Sequence, residues 1–436
     1  MAQKKSGPLF FKAAKKIAKS PRQQATVELT IERLSSEGRG MAFRNGKPIF
    51  IANALPGEQV RARIYSEKSE FAEADLLTVI EPSPQRRAAP CELFGRCGGC
   101  QLQMLDESDQ LAHKQKSLRH LLQTFAADEQ IWTEALTASP WHYRHRARLA
   151  VAEQNGAPIV GFKAANSHRV LAVPSCPVLD LRLQPLLREL PGWLAQLSQW
   201  RRLDELLLSV DSAEQIALAW RAQRAFPQAD ADKLAALCRD FNVLAGGGVR
   251  LTYAVPSQAT AIAFTTDDFT QVNPAINDQL AVRICAWLAP TPTDVIADFF
   301  CGLGNFTLPL AKHARLVDGY DVSAAMVSRA RENALTYAID NVSFHVLDLF
   351  EATMNLPTGP TKALLDPPRA GAKLLCEKLA HLKSLQRIVY VSCNPQTLAR
   401  DIAILVAGGF VLRQAALVDM FPQTGHSEAI VCLARR

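Results

Sequence analysis

The sequence predicts a multidomain chain: a small β-barrel, an α+β central domain, and an α/β Rossmann-like domain with a doubly wound, mostly parallel sheet. Three observations predict it. Short alternating segments split by Gly, Asn-Gly and Pro-Gly turns fill residues 27–79. Mixed helical and strand-like patterns follow over 150–265. From about Ile276 apolar strands alternate with helices, the pattern of βαβ units. The 436 residues accommodate two to four domains, and 48% hydrophobic content is enough to bury their cores. The boundaries read from these patterns are a basic disordered tail over 1–21, the barrel over 22–82, the central domain over 83–265 and the α/β domain over 266–436.

The tail carries the net charge. Lys4, Lys5, Lys12, Lys15, Lys16, Lys19 and Arg22 are cations with no acid among them, and without them the chain has 42 basic and 42 acidic residues. Such a tail favours polyphosphate partners through counterion release, or serves only as a solubilising leader. No apolar run reaches the roughly 18 to 20 residues of a membrane helix, and no secretory signal is visible. The expectation is a cytoplasmic protein with no membrane partner.

After the barrel, "EPSPQRRAAP" reads as a linker into "CELFGRCGGC". Cys91, Cys97 and Cys100 there form C-x5-C-x2-C, and Cys176 stands apart in "VPSCPV". Without a secretion signal these are not read as a disulfide framework. On spacing alone, four cysteines suit a structural zinc or an iron–sulfur cluster. Leu105 to Phe125 has helical spacing, and this helix is placed where it can pack back on the α/β domain. "HYRHRARLAV" then alternates, with Arg144, Arg146 and Arg148 on one side of a strand. That row either meets phosphates or is a solvated sheet face.

In the α/β domain the ends of successive strands carry the chemistry, because ligands of such sheets bind beyond the strands' carboxyl ends. "ADFFCGLGNF" places Asp298 before Gly302 and Gly304, and a helix opens at Phe306. The position three after Gly304 is Thr307, so the loop lacks the third glycine of a dinucleotide fingerprint. It better suits a nucleoside with no phosphate to cradle, such as S-adenosylmethionine. Asp321 ends the next strand, 23 residues after Asp298, where a carboxylate can accept both ribose hydroxyls. Asp348 ends the one after, near an adenine. Asp366 opens Asp-Pro-Pro-Arg, whose prolines stiffen the exit from its strand.

Cys393 ends the next strand, in "RIVYVSCNP", and so faces the same cleft. A cysteine there can be a nucleophile, a ligand or filler. Its strand-end place with Asn-Pro behind it favours the nucleophile. Cys301 is a rival, but it lies inside the glycine loop, where packing suits it better. A thiolate that adds to C6 of a uracil turns C5 into a carbon nucleophile, and a base must later remove the C5 proton. "FPQTGHSEAIVCLAR" supplies Glu428 as that base.

Together "DFFCGLGNF", "LDPPR", "VSCNP" and "TGHSEAIV" make the chain resemble the RNA uracil-C5 methyltransferase family over nearly its whole length. The resemblance implies Cys393 as nucleophile and Glu428 as general base. It implies an S-adenosylmethionine site lined by Gln271 (in "FTQVN"), Phe300, Asn305, Asp321, Asp348 and Asp366. At Asp321 the family pattern has the longer Glu, which keeps the carboxylate and changes its reach. The resemblance also implies that 22–82 is a TRAM domain, an oligonucleotide-binding-type barrel used for RNA. It assigns Cys91, Cys97, Cys100 and Cys176 to a [4Fe–4S] cluster. Barrel and cluster together resemble the members that modify ribosomal RNA, so the implied partner is 23S ribosomal RNA, met by a monomer. Three other readings stand beside this one: the same chemistry on tRNA, a radical adenosylmethionine enzyme, and a non-catalytic RNA-binding or assembly protein. Against the radical reading, those enzymes bring C-x3-C-x2-C with an open iron.

Overall fold

The computed structural model describes residues 25–126, 128–356 and 359–436. The basic tail read over 1–21 lies outside the described residues. The chain divides into two compact units, one from the first strands to Arg33 plus Gly40–Ser83, the other from Leu34–Arg39 plus Pro84–Arg436.

The first unit holds β1 (Thr26–Thr30), β2 (Arg33–Leu34), β3 (Gly40–Arg44), β4 (Lys47–Ile51), β5 (Gln59–Glu67) and β6 (Ala72–Glu81), in sheet order β1-β5-β6-β4-β3-β2. Asn45 and Gly46 both take positive φ, 53° and 76°, which the tight β3–β4 hairpin requires. Ile31, Ala42, Ile49, Ile51, Val60 and Ala62 alternate into one core. Glu58 is fully buried and its carboxylate accepts the Leu55 and Ser83 N–H groups, at 2.8 and 3.2 Å, which closes the sheet's last connection. The sheet is not wholly antiparallel: β4 and β6 pair in parallel, because β5 crosses between them in sequence.

In the second unit, α1 (Glu107–Leu122) precedes the strands β7 (Arg146–Gln154), β8 (Ala157–Lys163), β9 (Val170–Ala172), β10 (Leu203–Val210), β11 (Ile216–Ala222) and β12 (Val243–Ala245), in order β12-β11-β10-β7-β8-β9. The helices α2 (Gln184–Ala195) and α3 (Gln228–Asp240) bury Leu187, Leu190, Leu194 and Leu234 in the core of that sheet. A hairpin, β13 (Arg250–Val255) with β14 (Thr260–Thr265), leads to α4 (Pro274–Leu288).

The α/β part then runs β15 (Val295–Phe299), α5 (Thr307–Ala311), β16 (Leu316–Asp321), α6 (Ala324–Thr336), β17 (Val342–Val346), β18 (Lys362–Leu365), α7 (Lys373–His381), β19 (Arg387–Ser392), α8 (Pro395–Ala407), β20 (Phe410–Val418) and β21 (Glu428–Arg435). Its seven strands are ordered β17-β16-β15-β18-β19-β21-β20. The first five are parallel and β21 is antiparallel to both neighbours. The order reverses between β15 and β18, the switch point at which such sheets bind ligands.

Two segments outside residues 266–436 share this sheet's core. Leu251, Tyr253 and Phe264 of the hairpin pack with Ile276 and Leu280 of α4. Leu118 and Leu122 of α1 pack with Tyr390 and Leu398, and the N–H groups of Thr133 and Leu136 extend the edge of β20 by donating to Ala415 and Leu417. The packed α/β layer is thus discontinuous in sequence. No described helix is long and apolar enough to cross a membrane.

Candidate active site

A cavity of about 520 Å³ opens beyond the strand ends, and Gln271, Phe300, Asn305, Asp321, Asp366, Cys393 and Glu428 all line it. At its glycine-loop side the chain turns sharply after β15. Phe300 takes a left-handed φ of 69°, a strained conformation for an aromatic residue, and its N–H and that of Cys301 both donate to Tyr320 O. Gly302 has φ 54° and donates its N–H to Asp321 Oδ2 at 3.1 Å, while Ser323 N–H donates to Oδ1 at 2.8 Å. Asp321 is therefore aimed by two backbone donors, with lone pairs left on both oxygens for a ribose. Asn305 is held by a reciprocal amide pair with the fully buried Asn277 of α4, at 2.7 and 3.1 Å. Asp298 lies beneath the loop, bonded by Thr307 Oγ1 at 2.6 Å, and burial pushes its carboxyl up to about 7. Asp348 is the one expected cofactor residue that does not line the cavity. Its Oδ1 accepts Phe350 N–H at 2.8 Å, and its neighbours Leu347, Leu349 and Phe350 form the wall instead.

The other side of the cavity brings Cys393 and Glu428 together through strand register. The β19–β21 ladder ends on Ser392 opposite Ala429, so the next residues out, Cys393 and Glu428, face each other across neighbouring strands. Asn394 caps α8, its Oδ1 accepting Gln396 N–H, and its Nδ2 donates to Arg369 O at 3.0 Å. The Cys393 turn is thereby tied to the Asp-Pro-Pro-Arg loop. Burial raises the Cys393 thiol to about 11, with Glu428 and Asp366 adding to the rise and Arg369 opposing it. Burial, then Asp366, raises Glu428 to about 8, against Arg369 and Lys114. Burial likewise lifts Asp366 to about 7, although Gln271 Nε2 donates to it at 3.4 Å. A carboxyl poised near 8 suits a general base working close to neutral pH. Sequence reasoning passed over Arg369 and His426, which line the same cavity. Arg369 carries the only guanidinium or ammonium group on the described lining, and its place directly after the two prolines was the available signal.

Cys91, Cys97, Cys100 and Cys176 line a second cavity, of about 390 Å³. Burial raises the thiols of Cys97, Cys100 and Cys176, that of Cys100 to about 12. Hydrogen-bond donors point at the sulfurs: Gly99 N–H reaches Cys97 Sγ at 3.4 Å, and the N–H groups of Val178 and Leu179 reach Cys176. No three described His, Cys, Asp or Glu side chains converge as the donors of one metal ion do. A four-iron cluster binds each cysteine to a different iron, so its sulfurs stand further apart than those around a single zinc. The four thiols on one wall and the N–H donors aimed at them fit thiolate ligation, with no ion site already formed among the described residues.

The arginine row does not form one phosphate-facing edge. Arg146 turns into the protein and donates to Thr266 O, Asp268 O and Thr270 Oγ1, at 2.8, 2.5 and 2.9 Å, holding the loop that leads to Gln271. Arg148 stays exposed beside Glu205 at 3.7 Å. The reason is the 266–270 loop, whose Thr266 and Asp268 carbonyls and Thr270 hydroxyl take the Arg146 guanidinium while Arg329 and Arg221 bond the Asp268 and Asp267 carboxylates.

The sheet order, glycine loop and aimed strand-end acid define a nucleoside-cofactor methyltransferase of the doubly wound class. The comparisons narrow that class. The family model described as tRNA (Uracil-5-)-methyltransferase matches residues 243–357 and 360–436, and the TRAM domain model matches 22–77. The 23S rRNA (uracil(1939)-C(5))-methyltransferase RlmD of Pseudomonas putida is 40% identical over 419 residues, covering 92% of each chain. The protein of the same name from Pseudomonas entomophila is also 40% identical, over 420 residues and 92% of each chain. The chain belongs to the RNA uracil-C5 methyltransferase family. In fold it is similar to the tRNA (uracil-54, C5)-methyltransferase of Pyrococcus abyssi in complex with S-adenosyl-L-homocysteine, with a TM-score of 0.73, 20% identity, and coverage of 94% of this chain and 100% of that one. That likeness shows that the two chains share a fold over nearly their whole length.

Proposed function

We propose that this chain methylates C5 of a uridine in 23S ribosomal RNA through a covalent cysteine adduct. The observation that carries the chemistry is the facing pair Cys393 and Glu428 in the cavity that Asp321 and Asn305 also line. The substrate is supported by relatives 40% identical over 92% of both chains. S-adenosylmethionine supplies the electrophilic methyl group, and Asp321, Asn305 and Phe300, with Asp348 beside them, hold it. The target uridine leaves its stack, which costs on the order of a few kcal/mol. The Cys393 thiol first gives its proton to solvent, the thiolate forms a bond to C6, and the pair released from the C5–C6 double bond makes C5 the nucleophile. C5 takes the methyl, the pair of the broken S–CH3 bond stays on the departing S-adenosylhomocysteine, and Glu428 then takes the C5 proton. The C5–H pair re-forms the double bond, the C6–S bond breaks, and Cys393 leaves as thiolate. Gln271 and Asp366, joined at 3.4 Å, face the same space with a donor and an acceptor.

Cys91, Cys97, Cys100 and Cys176 would hold a [4Fe–4S] cluster, which supplies structural cross-linking and no part of this polar chemistry. The same reading has the protein act in the cytoplasm, as a monomer. The test is release of tritium to water from ribosomal RNA labelled at uracil C5. Release that needs S-adenosylmethionine and disappears in Cys393→Ala supports the proposal. Release from tRNA alone would keep the chemistry and move the substrate; no release from either would leave an RNA-binding role.

A further inference from the structure

The loop that leads into Glu428 is held from outside the catalytic sheet. Residues 419–427 join β20 to β21, and helix α1, some three hundred residues earlier in sequence, grips the stretch 419–425 of that loop. Lys114 is 1% exposed, and its Nζ donates to Asp419 Oδ1 at 2.7 Å and to Phe421 O at 2.9 Å. Gln110, one turn earlier, exchanges two bonds with Gln423: its Nε2 donates to Oε1 at 2.9 Å, and its Oε1 accepts Gln423 N–H at 3.0 Å. Gln423 O in turn accepts the N–H groups of Gln101 and Leu102, at 3.0 and 3.1 Å. Gln423 is fully buried with φ 69°, a strained conformation that only over-determined packing maintains. At Gly425 a Cβ would lie 2.2 Å from Glu37 O, so the chain there has one path.

A buried ammonium needs its partners, and removing one is costly. Packing alone would be served by an apolar residue at 114. The bonds made here instead fix the backbone five to nine residues before Glu428, and Phe421 of the gripped loop lines the reaction cavity. We propose that Lys114 and Gln110 are positioning residues for proton removal, holding the 419–425 loop so that the Glu428 carboxyl stands over the C5 proton of the adduct. This rests on Glu428 being the base.

The experiment uses the full chain with S-adenosylmethionine and C5-tritiated 23S ribosomal RNA. It compares wild type, Lys114→Met, Gln110→Met and Glu428→Gln. Three quantities are read: tritium release, KM for S-adenosylmethionine, and the fraction of protein trapped as methylated RNA adduct on a denaturing gel. For Lys114→Met the expected result is a kcat lowered about 10- to 100-fold, as for supporting residues elsewhere, with KM within about twofold of wild type and adduct accumulating. Wild-type turnover, or turnover and cofactor affinity lost together with no adduct, overturns the inference. If Lys114→Met does not fold, Gln110→Met leaves the ion pair in place and is judged by the same outcomes. Adduct in Glu428→Gln but in neither α1 variant sinks the inference and leaves the base standing. Absence of adduct in Glu428→Gln removes the base assignment, and the inference with it.

Discussion

In the reaction cavity the half-buried thiol of Cys393 faces carboxyl groups, whereas in the four-cysteine cavity the half-buried thiols of Cys97, Cys100 and Cys176 face one another. Burial raises every one of these thiols, so burial alone does not tell a nucleophile from a ligand. The partners do. Cys393 has a raised carboxyl opposite it, a guanidinium beside it and an open cavity in front. The other four have each other, N–H donors aimed at sulfur, and the cations Arg144, Arg148 and Lys163 on the same wall. One loop separates the two places: Thr424 lines the cysteine cavity, while Phe421 and His426 line the reaction cavity.

The largest effect that tests this contrast is at Cys393. Cys393→Ala should lower turnover on the order of 10⁴-fold, to background, while S-adenosylmethionine still binds; titrating cofactor binding beside tritium release checks both halves. Next, Glu428→Gln should slow product release by about 10²- to 10⁴-fold and leave methylated RNA attached to protein. On the cysteine side, anaerobic purification should give a brown protein with about four irons per chain, and Cys100→Ser should lose the colour. Metal analysis that finds zinc alone would remove the contrast in its present form.

The raised carboxyls give a pH dependence of defined sign. Glu428 sits near 8 in the fold, against about 4.3 in an unfolded chain, so between those values the folded state holds a proton that the unfolded chain has released. Its contribution to stability is full below about pH 4 and is lost as pH rises through about 8. Asp366, near 7, acts in the same direction. The urea midpoint should therefore fall between about pH 5.5 and pH 8.5, and Glu428→Gln should flatten that slope. Turnover should run the opposite way, rising with pH as the base and the thiol ionise. The smallest effect is at the cofactor end: Asp321→Ala should weaken S-adenosylmethionine binding about 10- to 100-fold, the worth of one or two charge-assisted hydrogen bonds.

Much of this was legible in the sequence because strand-end chemistry is local. Asp321, Asp366 and Cys393 each stand at the end of a strand-like segment, and a parallel sheet brings all its strand ends to one side. Glu428 was legible for its place before the last strand, although that strand runs antiparallel and starts rather than ends at the site. What escaped depends on contacts distant in sequence. The Asn277–Asn305 pair joins a helix to a loop 28 residues on, and nothing in either segment marks it. Arg146 reads as one of a row until the carbonyls of the 266–270 loop claim it. Lys114 looks like any cation of an amphipathic helix; only the fold shows it buried against Asp419, 305 residues away. Pairing across β4 and β6 was equally hidden, since alternation fixes a strand's faces but not its neighbour's direction.

The most direct test of the central claim is to incubate Glu428→Gln protein with S-adenosylmethionine and unmodified 23S ribosomal RNA, isolate the denaturation-resistant complex, and map the cross-linked peptide by mass spectrometry. The expected product is a single adduct in which the Cys393 sulfur is joined to C6 of a C5-methylated uridine. An adduct on Cys301, or methylated RNA released free at the normal rate, would contradict it.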